Sequence, residues 1–310
     1  MRAPIALRVA LLRLAARLTG NDEGRARAAA LRPLVPDGIA AHLDLRYDPG
    51  DRDALLDVFH PAGATAALPT IAWVHGGSWI GGSKRDMREY LQILAGHGYT
   101  TVGVEYSLAP RRHHPAQARQ VGTALGYLRD SAPGLPVDPG RFVLAGDSAG
   151  AQIAAQLACV ITDPGYATVL GIQPPVGPAS LRAAVLMCGV YDLVQAPRPR
   201  REQRVIDTVL RAYSGVRDYA RDPLFRYASV ARWLTPAFPP TFITAGNGDV
   251  FLPQSRRMAA ALAGLGAPID ALFFDDTPDD LAPHEYHLDL HTGPARTALD
   301  RMLAHLKRHA

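Results

Sequence analysis

The chain has 310 residues, of which 48% are hydrophobic and 20% are charged, and its formal net charge is +4. That length can bury one large core or two small ones, and the composition is typical of a globular protein. The basic residues form no stripe with aromatic residues, so nucleic-acid binding is not expected. The two cysteines, Cys159 and Cys188, both lie in apolar runs, which predicts buried thiols rather than a disulfide scaffold.

Residues 1–40 are predicted to form an N-terminal helical segment. Arg8 and Arg13 interrupt every apolar run in residues 1–18, which predicts neither a signal peptide nor a membrane-spanning helix. Helical spacing separates an arginine side, with Arg2, Arg13 and Arg17, from an apolar side. The apolar side carries Ile5, Val9, Leu12 and Leu14. We favour a helix packed on the domain of a cytoplasmic protein, and the alternative is a weak contact with a membrane surface through residues 1–18.

Strand and helix signals alternate from residue 41 onward. The predicted strands are 55–59, 70–74, 100–105, 142–145, 183–188, 241–245 and 269–274. The predicted helices are 87–96, 117–130, 149–161, 254–265 and 293–309. This alternation predicts an α/β fold, a mostly parallel sheet flanked by helices, with function at the carboxyl ends of the strands. Residues 191–240 interrupt it and are predicted to form a helical lid inserted into a domain that spans residues 41–310.

A serine lies at the junction of a predicted strand and a predicted helix, in Gly146-Asp-Ser-Ala-Gly150. A strand that turns sharply into a helix crowds the residue at its apex, and the small neighbours Gly146 and Gly150 relieve that crowding. The amides at the start of the helix stabilise negative charge beside the serine. The pattern therefore predicts a nucleophile elbow, G-x-S-x-G, with Ser148 as nucleophile.

A serine nucleophile needs a base and an acid, which in this arrangement follow it along the chain. The predicted acid is Asp249, in the turn Gly246-Asn-Gly-Asp249 that follows a strand. A competing acidic cluster follows the last predicted strand. It consists of Asp275, Asp276, Asp279 and Asp280.

The base must be a histidine that follows the last strand. His284 is the predicted base and His287 is the alternative, whereas His291 is close to the cap of the final helix. His305 and His309 are expected on the surface of that helix. The zinc helix motif places its histidines four residues apart, and His284 and His287 are three apart, so no metal or cofactor is expected.

The oxyanion of an ester intermediate needs backbone N–H donors. Ala149, directly after the nucleophile, is one predicted donor. The loop His75-Gly-Gly-Ser78, which follows an early strand, occupies the place of the others, and its glycines allow the backbone to approach a substrate carbonyl. His75 itself is predicted to be structural, bonding within the loop.

Three motifs together resemble the hormone-sensitive-lipase-like esterase group of the α/β-hydrolases, over roughly residues 45–308. They are His75-Gly-Gly-Ser-Trp79, Glu105-Tyr-Ser-Leu-Ala-Pro110 with His114-Pro-Ala116, and residues 138–150 around the nucleophile. The resemblance implies a triad of Ser148, Asp249 and His284. It also implies Gly76, Gly77 and Ala149 as oxyanion donors, and we expect Trp79 and Tyr106 to contact substrate. Ser78 departs from the group's third glycine, and Glu105 from its aspartate.

The predicted function is therefore that of a serine hydrolase that cleaves carboxylic esters of small or medium acyl chains through an acyl-enzyme. The expected partner is a small-molecule ester. The pattern His-Gly-Gly-x-Trp is also similar to that of kynurenine formamidases, which leaves hydrolysis of an N-formyl aromatic amine as an alternative. A ligand-binding member of the fold without catalysis is a further alternative.

Overall fold

The computed structural model describes residues 4–18, 23–131, 134–193, 203–275 and 281–310. These residues form an eight-stranded sheet in the order β1-β2-β4-β3-β5-β6-β7-β8. The strands are β1 (Ile39–Arg46), β2 (Leu55–Pro61), β3 (Leu68–Val74), β4 (Thr100–Val104), β5 (Val137–Asp147), β6 (Leu181–Met187), β7 (Thr241–Ala245) and β8 (Ile269–Phe273). β2 runs antiparallel to both its neighbours, and every other pair is parallel, which confirms the predicted α/β class.

Helices cover both faces of this sheet. They are α1 (Ile5–Leu18), α2 (Glu23–Leu31), α3 (Arg88–Ala95), α4 (Ala116–Ser131), α5 (Ala149–Thr162), α6 (Pro164–Leu170), α7 (Gln203–Ser214), α8 (Leu252–Gly264) and α9 (Gly293–His309). On β3, Ala72 and Val74 pack in the cluster that contains α4, α5 and α8, whereas Ile71 and Trp73 pack with α3 and α9. This alternation follows from the pleat of a strand.

Helix α5 lies in the centre of the molecule, since every residue from Ala149 to Ile161 is buried. Alanine and glycine supply much of its first two turns, so the helix approaches the sheet closely. Among the described residues, no single helix is long and apolar enough to cross a membrane. Helices α5 and α6 reach that length and composition only as a pair, and they meet at 118°.

The N-terminal helix α1 packs on the domain largely through its predicted apolar side, since Val9 lies in the core with Ile5 and Leu12 packed against it, but two residues depart from the prediction. Val9 is buried, whereas Leu14 is exposed. Arg13 lies on the packed side, where its guanidinium donates to the carbonyls of Ile80, at 2.5 Å, and Ala109, at 2.9 Å. The predicted separation of sides therefore fails at Leu14 and Arg13, the latter because loop carbonyls far along the chain accept from its guanidinium. Arg2 and the side chain of Arg17 lie outside the described residues.

The predicted lid is described over residues 191–193 and 203–240, and residues 194–202 lie outside the described part. It contains α7 and three short 3₁₀ turns, Tyr219–Arg221, Phe225–Ala228 and Val230–Arg232. Its aromatic side chains largely pack on one another; Tyr227 and Trp233, for example, stack at 4.2 Å between ring centroids.

Two predictions about single residues can be compared with the fold. Cys159 and Cys188 are free and buried, as expected. His305 was expected on the surface but is buried, with its ring 6.3 Å from that of Phe242 on β7. Helix α9 is amphipathic, and the face that carries His305 also carries Met302 and points toward the sheet.

Candidate active site

Ser148 lies between the end of β5 and the first residue of α5. Its backbone has φ 51° and ψ −118°, a conformation that non-glycine residues rarely adopt. A Cβ atom at position 150 would lie 2.0 Å from the carbonyl oxygen of Val74, and one at position 146 would lie 2.6 Å from the carbonyl carbon of Gly150. The two glycines are therefore required by sterics, which agrees with the predicted elbow.

The structure brings together the three side chains that the sequence nominates. His284 Nε2 lies 3.0 Å from Ser148 Oγ, and His284 Nδ1 lies 2.9 Å from Asp249 Oδ2. The other carboxylate oxygen of Asp249 accepts from the backbone N–H of Phe251 at 2.7 Å. This hydrogen bond within the turn orients the carboxylate toward His284. Of the competing acidic cluster, Asp275 is exposed, and Asp276, Asp279 and Asp280 lie outside the described residues.

The other histidines that follow the last strand do not reach the serine. His287 is fully buried between Trp73 and Tyr90, and neither of its ring nitrogens has a hydrogen-bond partner among the described residues. Burial lowers the pKa of His287 well below its usual value, which keeps the ring neutral. His291 is exposed and lies 3.1 Å from the carbonyl oxygen of Ala30.

Carboxylates surround His284 and set its charge preference. Burial lowers its pKa, but the hydrogen bond to Asp249 and the negative charges of Asp249, Glu285 and Asp147 outweigh burial, so the pKa is raised. The imidazolium that forms when a serine gives up its proton is thereby stabilised.

One predicted oxyanion donor, Gly76, needs correction. Its backbone N–H already donates to Asp147 Oδ2 at 2.8 Å, so that amide is engaged within the protein. Gly77 follows with φ 107°, a conformation that suits glycine, and it is half-buried at the edge of the site. Ala149 lies in the first turn of α5, where backbone N–H groups have no partner inside the helix. Of the three predicted oxyanion donors, the geometry leaves Gly77 and Ala149 as candidates.

Tyr106 and Trp79 support this loop rather than line an open site. The Tyr106 ring stacks on that of His75 at 4.2 Å, and its hydroxyl donates to the carbonyl of His75 at 2.9 Å. Trp79 stacks on Tyr213 at 4.6 Å and donates to Gln152 Oε1 at 3.0 Å. Both rings are buried, so the expected direct contact with substrate finds no support in their geometry.

Glu105 is a supporting residue that the sequence did not reveal. Its Oε1 lies 3.3 Å from His75 Nε2, and its Oε2 accepts from the Ser83 hydroxyl at 3.0 Å and from the Lys84 backbone N–H at 3.2 Å. His75 is thus held from both sides, since its Nδ1 lies 2.8 Å from the carbonyl oxygen of Gly76. The structural role predicted for His75 agrees with these contacts.

Asp147 and Glu285 add two carboxylates beside the triad. Asp147 accepts from the Trp73 indole at 2.7 Å, and burial together with the charge of Glu285 raises its pKa to about 7. Glu285 Oε1 lies 3.8 Å from His284 Nε2, and its other oxygen forms an ion pair with Arg27 of α2. No sequence signal links Arg27 to Glu285, because 258 positions separate them.

Cys188 lies behind the acid and the base. Its sulfur and ligand-type atoms of Asp249 and His284 lie within 4.8 Å of one another. Burial raises the pKa of the thiol well above its usual value, although hydrogen bonds from the backbone of Glu285 and Gly246 to the sulfur oppose this. The thiol therefore stays protonated and connects the loop that carries Asp249 with the loop that carries His284.

A comparison with known protein families matches residues 71–282, more than half of the chain, to the α/β hydrolase fold. The chain belongs to this family. Its relatives include two proteins of Mycobacterium tuberculosis. Esterase LipQ is 29% identical over 300 residues, covering 92% of this chain and 67% of LipQ. Esterase LipC is 31% identical over 220 residues, covering 69% of this chain and 53% of LipC. The matched part of this chain therefore spans between about half and two thirds of the length of these relatives.

Solved structures show the same fold. Esterase B from Lactobacillus rhamnosis, in an inhibited form, superposes with a TM-score of 0.82 at 23% identity, and the match covers 98% of this chain and 97% of esterase B. The predicted fold and the predicted resemblance to carboxylesterase-type α/β-hydrolases are confirmed at this level.

Proposed function

We propose that this α/β-hydrolase cleaves carboxylic esters by a serine mechanism, with Ser148 as nucleophile, His284 as base and Asp249 as the acid that orients it. The observation that carries the proposal is the unbroken chain of hydrogen-bond distances from Asp249 through His284 to Ser148, 2.9 and 3.0 Å long. The names of its esterase relatives support the choice of substrate class.

The distances between Ser148, His284 and Asp249 support the following steps. Ser148 Oγ attacks the ester carbonyl carbon while its proton passes to His284 Nε2. The carbonyl oxygen becomes an oxyanion, which the N–H groups of Gly77 and Ala149 stabilise. Collapse expels the alcohol, which takes the proton from His284 and leaves an acyl-serine. Water then attacks this acyl group and gives a proton to His284, and collapse releases the carboxylic acid while Ser148 Oγ takes that proton back from His284.

We propose small to medium acyl chains as the substrates. A C6-C4 inhibitor and a C4-C4 tributyrin phosphonate were bound by esterase B, and these inhibitors support chains of that size. A panel of p-nitrophenyl esters of increasing acyl length measures this directly. N-Formylkynurenine, assayed beside the panel, tests the formamide alternative.

The test of the mechanism is Ser148→Ala, which removes one oxygen. Turnover of p-nitrophenyl acetate should fall by roughly four to six orders of magnitude, because the triad acts as a unit. The melting temperature should not fall, and a phosphonate should label the wild-type protein at Ser148. Labelling at another residue, or a variant that keeps a tenth of the activity, would exclude Ser148 as the nucleophile.

A further inference from the structure

Helix α1 presents an apolar stripe to solvent. Leu7, Leu11 and Leu14 are 50%, 54% and 50% exposed. Their spacing of i, i+4 and i+7 places them in one row about 10 Å long on a single helix face. Three leucines half exposed in one row form a contiguous apolar surface, unlike isolated exposed leucines.

The opposite side of α1 fixes this orientation. Val9 is buried in the main core, and Ile5 and Leu12 pack against it. Arg8 bonds to Thr208 of α7, and Arg13 donates to two loop carbonyls. The leucine row cannot turn inward without losing all of these contacts. Val205 of α7 is also exposed, one helical turn before Thr208, and adds an apolar side chain on the neighbouring helix.

The net charge of residues 1–32 indicates what kind of surface the leucine row contacts. Residues 1–32 contain seven arginines against one aspartate and one glutamate, a net charge of +5. Since the whole chain carries +4, the other 278 residues carry −1. The positive charge of the protein is therefore concentrated in the segment that also exposes the leucine row. An apolar row within a strongly basic segment is the pattern of helices that lie in the surface of an anionic bilayer.

We propose that the leucine row of α1 is a docking surface for an anionic lipid membrane. The three leucines enter the boundary between headgroups and acyl chains, and the net positive charge of residues 1–32 attracts the anionic headgroups. Three leucines give only a modest apolar contribution, so binding is reversible and needs the charge. Packing on the protein and contact with a membrane, which the sequence presents as alternatives, use different faces of the same helix.

The position of α1 gives this docking a consequence for catalysis, which rests on the proposed function. Arg13 contacts the carbonyl of Ile80, which follows Trp79 at the end of the predicted oxyanion loop. The helix that carries the docking surface on one face thus contacts, through its other face, the segment that follows the predicted oxyanion loop. We expect docking to bring an ester dissolved in the membrane to the same region of the protein as the predicted oxyanion loop.

Flotation of the full chain with vesicles tests the docking without any assay of activity. One set of vesicles is pure phosphatidylcholine, and the other contains roughly a third phosphatidylglycerol. The test variant carries Leu7→Gln, Leu11→Gln and Leu14→Gln together. The control carries Leu43→Gln and Val169→Gln, which change exposed apolar residues on β1 and α6.

The wild-type protein and the control should float with the anionic vesicles and be released by 0.5 M salt. The triple variant should bind at least about tenfold more weakly, with an unchanged melting temperature and unchanged turnover of a water-soluble ester. Equal binding by the triple variant and the wild type would overturn the proposal. So would a wild-type protein that ignores both vesicles but forms a dimer that the triple variant lacks, since the row would then bind a second copy of the chain.

Discussion

The nucleophile elbow and the N-terminal helix α1 differ in what determines their structure. At the elbow, Gly146 and Gly150 are required by clashes with backbone atoms of the elbow itself and of Val74 on the neighbouring strand β3, whatever side chains those residues carry. Along α1, the contacts that choose the inward face come from Ile80, Ala109 and Thr208, from 67 to 200 positions away. Backbone sterics can be derived from a motif, whereas the side-chain contacts that orient α1 depend on which distant residues the fold brings near.

The largest effect that this comparison predicts is at the base beside the elbow. His284→Ala should reduce ester turnover by roughly four to six orders of magnitude, as far as Ser148→Ala does, because both residues belong to one unit. The matched change His287→Leu replaces a buried imidazole, which has no hydrogen-bond partner in the described part of the chain, by an apolar side chain of similar size and should leave kcat nearly unchanged. The measurement is kcat for both variants, and the reverse order would move the base to His287.

Gly150→Ala tests the sterics of the elbow. The new Cβ would lie 2.0 Å from the carbonyl oxygen of Val74, which is backbone and cannot turn aside. We expect a loss of about 3–5 kcal/mol in the free energy of unfolding, or no folded protein. Gly126→Ala on α4 is the control, since nothing lies within 4 Å of its Cβ position, and alanine there should be neutral or stabilising. Urea unfolding of both variants compares them, and a stable Gly150→Ala protein would contradict the steric explanation.

Val9→Ala and Leu11→Ala sharpen the description of α1. Val9 is 1% exposed and Leu11 is 54% exposed. Val9→Ala should lower the free energy of unfolding by about 1–2 kcal/mol through lost burial and a small cavity. Leu11→Ala should change it by less than about 0.5 kcal/mol. Thermal unfolding of the two variants measures the difference, and equal melting temperatures would mean that α1 does not pack through Val9.

The smallest effect concerns the link between α2 and the base. His284 must be neutral to accept a proton, and its pKa is raised, so kcat/KM should fall as the pH drops through a value above the ordinary imidazole pKa. Glu285→Gln removes a negative charge 3.8 Å from Nε2 and should move this acid limb to lower pH. Arg27→Gln leaves Glu285 without its ion pair and should move the limb to higher pH.

Each of these shifts should be up to about one pH unit. The control is Arg32→Gln, which removes a surface contact of 3.5 Å with Glu89 and should leave the profile in place. The readout is the pH dependence of kcat/KM for the three variants. Shifts of Glu285→Gln and Arg27→Gln in the same direction would rule out an electrostatic link.

The proposed nucleophile, acid and base could be predicted from the sequence, but the carboxylates that support them could not. Ser148, Asp249 and His284 follow from motif and chain order because catalysis demands those side chains at strand ends. Glu105, Asp147 and Glu285 could not be found in this way, since their importance arises from burial and from partners such as Arg27, which the fold alone brings near. The misplaced Gly76 has the same origin, because its amide is taken by Asp147, a residue 71 positions away.

Strand β1 is missing from the predicted strands, and its burial pattern explains why. Its residues are mostly exposed or half-buried, with no regular alternation, because it is an antiparallel edge strand with a bulge between His42 and Leu45. A strand of this kind carries little periodic signal. Helix α6 was also not predicted, because its seven residues are too few to show a helical period clearly.

The distribution of the three proposed catalytic residues along the chain also bears on how this protein acquires activity as it folds. Ser148 follows β5, whereas its histidine lies 136 positions further on, beyond β8, the last strand at that edge of the sheet. Parallel neighbours form only after the intervening chain has crossed over, so such contacts are slow to form. The recovery of ester turnover after dilution from denaturant should therefore report when the final strand and the loop that follows it have folded.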